Sequence, residues 1–258
     1  MSKIIDAHVH IGRSIQGFEQ NISEALDRMD RLGITMAILV PVRPVDYAYH
    51  SQNNFIAQVC QDHPERFYGL GRVDPRLDDA AVEARRCLTE LRLHGIYVHP
   101  WEDALCVTDH RLDAVLRVCA DYAAPFIVAA GYPWVSEAPQ VAELARRFPT
   151  VPVVMTNGGQ INISGLGQRN AWLALAECTN VFMTTSGVYR EDFIEEVLQQ
   201  IGPDKVLFGS QSPLFDQDLE LHRVLWAQVD EQVKTRVLWD TAQRLFGTPR
   251  PDTDSQYK

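Results

Sequence analysis

Short β-branched runs alternate with longer amphipathic segments along all 258 residues, and this alternation constrains the fold more than any other feature of the chain. The runs Ile4–Ala7, Met36–Val40, Tyr68–Val73, Ile96–Val98, Phe126–Ala129, Val153–Met155, Val181–Thr184 and Val206–Phe208 are short and largely apolar, broken by a charge only at Asp6 and Arg72, as strands buried on both faces are. The segments between them carry helical periodicity: Ile22–Leu32, Asn53–Gln61, Ala80–Leu93, Arg111–Tyr122, Glu137–Arg147, Ala171–Glu177 and Asp192–Gln199. Two more, Asp218–Val229 and Gln232–Leu245, close the chain. Asp109 and Ser136 are placed to cap helix N-termini, and Gly33 and Gly202 to stop helices. Strand-then-helix repetition about eight times is the pattern of a parallel barrel wrapped in helices, typically of about 250 residues. An open doubly wound sheet is the rival, but the Gly-rich phosphate turn that usually follows its first strand is absent. The expectation is an α/β fold, a (β/α)8 TIM barrel in a single domain over residues 1–247, with a flexible polar tail at 248–258.

Composition narrows the partners. A formal net charge of −10 argues against nucleic acid and against an anionic membrane surface, though a few arginines in a cleft can still attract a small anion. No apolar stretch approaches the roughly 20 residues needed to span a bilayer. The five cysteines are odd in number, scattered and never spaced CxxC, as small hydrophobes in a reducing compartment are. No positive n-region or apolar h-region precedes the first strand. The expectation is a cytoplasmic protein acting on a small molecule.

In such barrels chemistry sits at the C-terminal ends of the strands, which selects the residues that immediately follow each run. The first is a His-X-His: side chains i and i+2 of a strand share a face, so His8 and His10 converge as half of a divalent-metal site or as a hydrogen-bonded pair. His99 follows the fourth strand, Asn157 the sixth, Ser186 the seventh and Gln211 the eighth. Arg13, Arg43 and Arg72 follow the first three strands and can clamp a carboxylate bidentately, or pair with local carboxylates. Asp74, in a Val-Asp-Pro turn, is a weaker metal-ligand candidate than His99 and is expected instead to cap or order its loop. Tyr132 and Trp101 are loop aromatics suited to walling a planar ligand, or to packing on the barrel rim.

These strand ends resemble the amidohydrolase superfamily, and within it the amidohydrolase-related branch that includes aminocarboxymuconate-semialdehyde decarboxylase, resorcylate decarboxylases and lactonases. The resemblance rests on Asp6-Ala7-His8-Val9-His10-Ile11-Gly12, Gly71-Arg72-Val73-Asp74-Pro75, Gly95-Ile96-Tyr97-Val98-His99-Pro100, Leu207-Phe208-Gly209-Ser210 and Ala242-Gln243-Arg244-Leu245-Phe246-Gly247, in that order. It implies one divalent metal, zinc foremost, on the two first-strand histidines, a histidine after the fifth strand and an aspartate after the eighth. A histidine after the sixth implies an acid or base. Ala129, Gln211 and Asn157 stand at those last three positions. Ala129 cannot bind metal, and amides bring neither a basic nitrogen nor a charge. The expectations are therefore a full metal site, a weakened one on His8, His10 and His99, or none. The main functional reading is a hydrolase of a small carboxylated substrate with His99, Asn157 and Gln211 as catalytic groups and Arg13, Arg72 and Ser186 binding substrate. The alternatives are a non-oxidative decarboxylase or a catalytically inactive binding barrel. Relatives with this barrel often self-associate, so a homo-oligomer is left open.

Overall fold

A computed structural model describes residues 3–161 and 165–247 of the chain; the tail expected at 248–258 lies outside the described residues. Eight parallel strand positions are present in chain order. They are β1 (Ile5–Arg13), β3 (Met36–Pro41), β4 with β5 (Phe67–Gly69, Gly71–Arg72), β6 (Ile96–Val98), β7 (Phe126–Val128), β8 (Val153–Met155), β9 (Val181–Thr184) and β10 (Val206–Leu207). A short β2 (Glu19–Gln20) folds back antiparallel on the end of β1. The ladders form two sheets, β2-β1-β3-β4 and β10-β9-β8-β7-β6-β5.

Backbone hydrogen bonds cross both gaps between the sheets. At one, the third barrel strand breaks at Leu70: its first half pairs with β3 and its second half with β6, while Leu70 N still donates to Leu39 O at 2.9 Å. At the other, Ala7 N donates to Phe208 O, Gln211 N to His8 O and His10 N to Ser212 O, all at 2.7–2.8 Å. The result is the (β/α)8 barrel that the alternation implied.

Side-chain alternation fills it. Met36, Ile38 and Val40 of β3 join Ile5, Leu70, Tyr97, Ile127, Val154, Phe182 and Leu207 in one buried cluster. Ala37 and Leu39, with Val9 and Ile11, belong instead to a larger cluster that includes the apolar faces of the helices. Burying one such aliphatic side chain is worth roughly 1.5–3 kcal/mol, so the two clusters supply most of the drive to fold. The helices are α1 (Ile22–Leu32), α2 (Tyr49–Asp62), α3 (Ala80–Thr89), α4 (Asp113–Asp121), α5 (Ala138–Arg147), α6 (Gly165–Glu177), α7 (Glu191–Gln200), α8 (Gln217–Leu225), α9 (Glu231–Thr235) and α10 (Thr241–Phe246). A π-turn at Arg236–Asp240 links the last two. Among the described residues no helix is long and apolar enough to cross a membrane. The five cysteines form no disulfide.

Several local expectations shift. β1 extends through both histidines to Arg13, because the hairpin with β2 continues its ladder. Gly33 ends α1 in left-handed backbone (φ 68°), as its position suggested. Asp109 caps a 3-10 turn (His110–Leu112) ahead of α4. Ser136 is not a cap: its hydroxyl donates to Ala129 O at 2.7 Å, and Glu137 caps α5.

Candidate active site

The first strand sets the geometry. His8 Nε2 and His10 Nε2 lie 3.1 Å apart, on one face as the spacing required, with both residues buried. His10 Nδ1 faces Val40 O at 3.2 Å. A carbonyl accepts only, so Nδ1 carries the proton and His10 Nε2 offers a lone pair. His8 Nε2 therefore donates to it, which leaves His8 Nδ1 bare, buried and without a partner among the described residues. Burial first, and then neighbouring His10 and His99, hold His8 well below the usual imidazole range. Burial and the charge of Arg72 lower His10 to about 4, against the support of Val40 O. Burial, Arg72 and His10 do the same to His99, whose pKa falls well below the usual value. All three imidazoles are uncharged near pH 7.

Asp6 anchors this strand end. Its carboxylate accepts from His8 N (3.1 Å), Ser210 N (2.8 Å), Ser210 Oγ (2.5 Å) and Gln217 Nε2 (2.8 Å), tying β1 to the β10 loop and to α8. That loop carries Gln211, whose Oε1 accepts from Asn157 Nδ2 at 2.8 Å.

Arg72 is placed by a side chain acting as a strand. Asn53 of α2 accepts from Arg72 N at 2.8 Å and donates to Arg72 O at 2.9 Å, which continues the ladder where β5 has no backbone neighbour on that side. The guanidinium is 1% exposed and meets Glu102 at 2.6 Å and Asp103 at 3.2 Å. Burial opposes its charge, but Asp103, Tyr49 and Glu102 more than offset that and keep it protonated.

Around these groups lies a narrow cleft lined by His10, Phe18, Arg43, Arg72, His99, Glu102, Tyr132 and Gln211, among others. Its free volume is only about 20 Å³, far below the roughly 300–1,000 Å³ of ligand clefts, with Glu102 among the side chains that fill it. His99 Nε2 is 3.3 Å from Tyr132 Oη, and Trp101 stacks on Tyr132 with ring centroids 5.7 Å apart. Gly131, before this aromatic, must lack a side chain, since a Cβ there would stand 2.5 Å from Ile161 N.

The cleft thus gathers His10, His99, Arg72 and Gln211, with His8 and Asn157 bonded just behind. Arg13 is exposed at the hairpin and does not line it; Arg43, from the next strand end, does. Ser186 is fully buried and bonded to Thr184 Oγ1 at 3.1 Å, outside the lining. Asp74 binds Arg76 within its own turn. Glu102 escaped the sequence reading, and Asp6 entered it only as part of the motif around His8 and His10. Nothing in the sequence marks Glu102 as turning inward.

The donor set does not fit the family-type metal centre. A catalytic zinc takes about three good protein ligands. Here Ala129 offers none, Asn157 and Gln211 bond each other, and Glu102 and Asp103 are engaged by Arg72. Among the described residues no group of three or more His, Cys, Asp or Glu side chains is arranged to hold a metal.

Comparison with known proteins places the chain. A family profile described as amidohydrolase matches residues 5–248. The chain belongs to the amidohydrolase family. This amidohydrolase-family chain is 24% identical to the gamma-resorcylate decarboxylase of Rhodococcus jostii (strain RHA1), over 81% of this chain and 78% of that one. Its fold matches the 5-carboxyvanillate decarboxylase of Sphingomonas paucimobilis with a TM-score of 0.77 at 17% identity, covering 96% and 99% of the two chains. It matches the dihydroxybenzoic acid decarboxylase of Polaromonas sp. JS666, solved with manganese and the inhibitor 2-nitroresorcinol, with a TM-score of 0.76 at 18% identity, covering 96% and 97%.

Proposed function

We propose that the cleft takes a small hydroxylated aromatic carboxylate and releases its carboxyl group as CO2, without redox change. The carrying observation is His99: an uncharged, buried imidazole 3.3 Å from Tyr132 Oη, in a cleft whose wall also presents Arg43 and Arg72. Relatives that decarboxylate gamma-resorcylate and 5-carboxyvanillate support this reading over the hydrolysis that the strand ends suggested.

The chemistry asks for charge neutralisation and one proton in transit. The guanidiniums offset the substrate carboxylate, and the Tyr132–Trp101 stack covers its ring. The ring hydroxyl passes its proton to water and the carbon bearing the carboxylate takes one from water, while neutral His99, whose Nδ1 accepts from Glu102 N and whose proton therefore sits on Nε2, donates to the phenolate oxygen. The carbon–carbon bond then breaks, CO2 leaves, and its electron pair returns to the ring as phenolate, which takes a proton from water. One carboxylate and one proton become CO2 and the ring. Gln211, with Oε1 engaged by Asn157, keeps its Nε2 donors for the developing phenolate oxygen. His8 and His10, joined through one proton, supply a neutral polar floor.

The test is release of labelled CO2 from carboxyl-¹³C 2,6-dihydroxybenzoate, 5-carboxyvanillate and related hydroxybenzoates. Release is expected from at least one, falling about 10²–10³-fold in His99→Ala. No release from any of them, or release untouched by His99→Ala, rejects the proposal.

A further inference from the structure

We infer that Glu102 is a built-in carboxylate seated in the anion subsite of the cleft, so that a ligand carboxylate enters by displacing it. This rests on the proposed reading only in taking the ligand to be a carboxylate. Glu102 Oε2 is 2.6 Å from Arg72 Nη2, Oε1 is 2.6 Å from Gln16 Nε2, and Oε1 is 3.9 Å from His99 Nε2. The side chain is only 7% exposed. A guanidinium, an amide donor and an imidazole are the partners that a substrate carboxylate would seek.

The backbone around Glu102 is held while the side chain is free to leave. Arg43 Nη1 donates to Glu102 O, and Glu102 N donates to His99 Nδ1 at 3.3 Å. Rotation about the side-chain bonds alone therefore clears the subsite. Arg72 does not lose its compensation when that happens. Asp103 stays at 3.2 Å, itself fixed by Tyr49 Oη at 2.7 Å.

Charge and spare donors both favour an incoming anion. Two cations, Arg43 and Arg72, face two carboxylates, Asp103 and Glu102, so the departure of Glu102 leaves the cluster one positive charge in excess. Arg72 Nε and Arg43 Nε are buried and have no partner among the described residues. The exchange swaps one Arg–carboxylate pair for another and is nearly balanced in itself. Ligands without a ring to lie against Tyr132 gain too little to win it, which makes Glu102 a filter against simple carboxylates.

The test is binding of benzoate and of acetate to the full chain, read by calorimetry and thermal shift. Glu102→Gln keeps the shape and removes the competing charge; it is expected to tighten benzoate about tenfold and to make acetate binding detectable. Glu102→Asp, which keeps the charge but is too short to bridge Arg72 and Gln16, is expected to tighten benzoate severalfold. Benzoate binding unchanged or weakened in the folded variants overturns the inference. Should the variants not fold, a benzoate complex of the wild type decides: ligand carboxylate on Arg72 with Glu102 turned out supports it, and Glu102 still on Arg72 beside bound ligand overturns it. Because these readouts need no turnover, absence of CO2 release strikes the decarboxylase reading alone, while an unaltered benzoate affinity strikes the Glu102 inference alone.

Discussion

Asn157 Nδ2 donates to Gln211 Oε1 at 2.8 Å, joining the ends of β8 and β10 past the intervening β9. Both residues hold left-handed backbone, with φ of 56° and 59°. Asn visits that region readily; Gln does not, so the cost at Gln211 must be met by its surroundings. Its N donates to His8 O at 2.7 Å and its O accepts from Leu214 N at 2.9 Å, which fixes the turn. Gln211→Ala leaves the buried Asn157 amide unpaired and keeps the backbone strain; a loss of about 1–3 kcal/mol is expected. Gln211→Gly loses the same bond but relieves the strain. Urea melts should therefore rank Gly above Ala in stability, and the reverse order would show that the turn is not strained.

The same pair determines what becomes of metal. With Ala129 silent and two amides bonded together, the purified protein is expected to hold well under one equivalent of zinc or manganese. Ala129→His with Gln211→Asp adds an imidazole and a carboxylate to His8 and His10, and Asp tolerates the left-handed backbone at 211. Elemental analysis should then find close to one equivalent. A double variant that stays metal-free would mean those positions do not converge on the His8–His10 pair.

Strand and helix order was readable because each barrel strand is buried on both faces and each helix on one, so hydrophobic pattern alone carries it. β6, β8 and β9 fall where their apolar runs lie. The convergence of His10, His99 and Gln211 followed from strand ends sharing a mouth. What did not follow were contacts between residues far apart in sequence and set by loop shape. Glu102 reaches Arg72 through a turn with no hydrophobic pattern. Asn53, in the middle of α2, reads as an ordinary polar helix position, yet it completes the β5 ladder. Position alone puts Arg13 at the cleft, whereas the β1–β2 hairpin carries it out to solvent.

Asp6 offers a sharp test of how the barrel seam is held. Its two oxygens accept four hydrogen bonds from His8, Ser210 and Gln217. Asp6→Asn is nearly the same size but turns one acceptor into a donor facing other donors. It is expected to cost about 2–4 kcal/mol, as loss of charge-assisted bonds at a buried site does. Amide hydrogen exchange should rise first at Gln211 N and His10 N, which bond across the seam. Exchange rising evenly over the whole chain would instead mean that Asp6 acts on global stability and not on the seam.

Acid should weaken this fold, and the sign follows from which groups refuse protons when buried. His8, His10 and His99 all lie below the usual 6.5 in the folded chain, His10 at about 4, chiefly through burial. As pH falls from 6.5 towards 4 the unfolded chain takes up three protons that the folded chain does not. Each costs the fold up to about 1.4 kcal/mol per pH unit. Glu220 works the other way. Burial raises it to about 7, against bonds from Gly187 N and Arg223, so between about 7 and 4.5 the folded chain keeps a proton that the unfolded chain has released. Asp6, raised by burial, has the same sign just above 3.8. Three protons opposed by one leave a net loss, so the urea midpoint is expected to fall steadily from pH 7 to pH 5. Glu220→Gln removes the opposing proton and should steepen that fall by about one proton's worth. A midpoint that stays level or rises over this range would mean that the imidazoles are charged in the fold, against the neutral His99 of the proposed site.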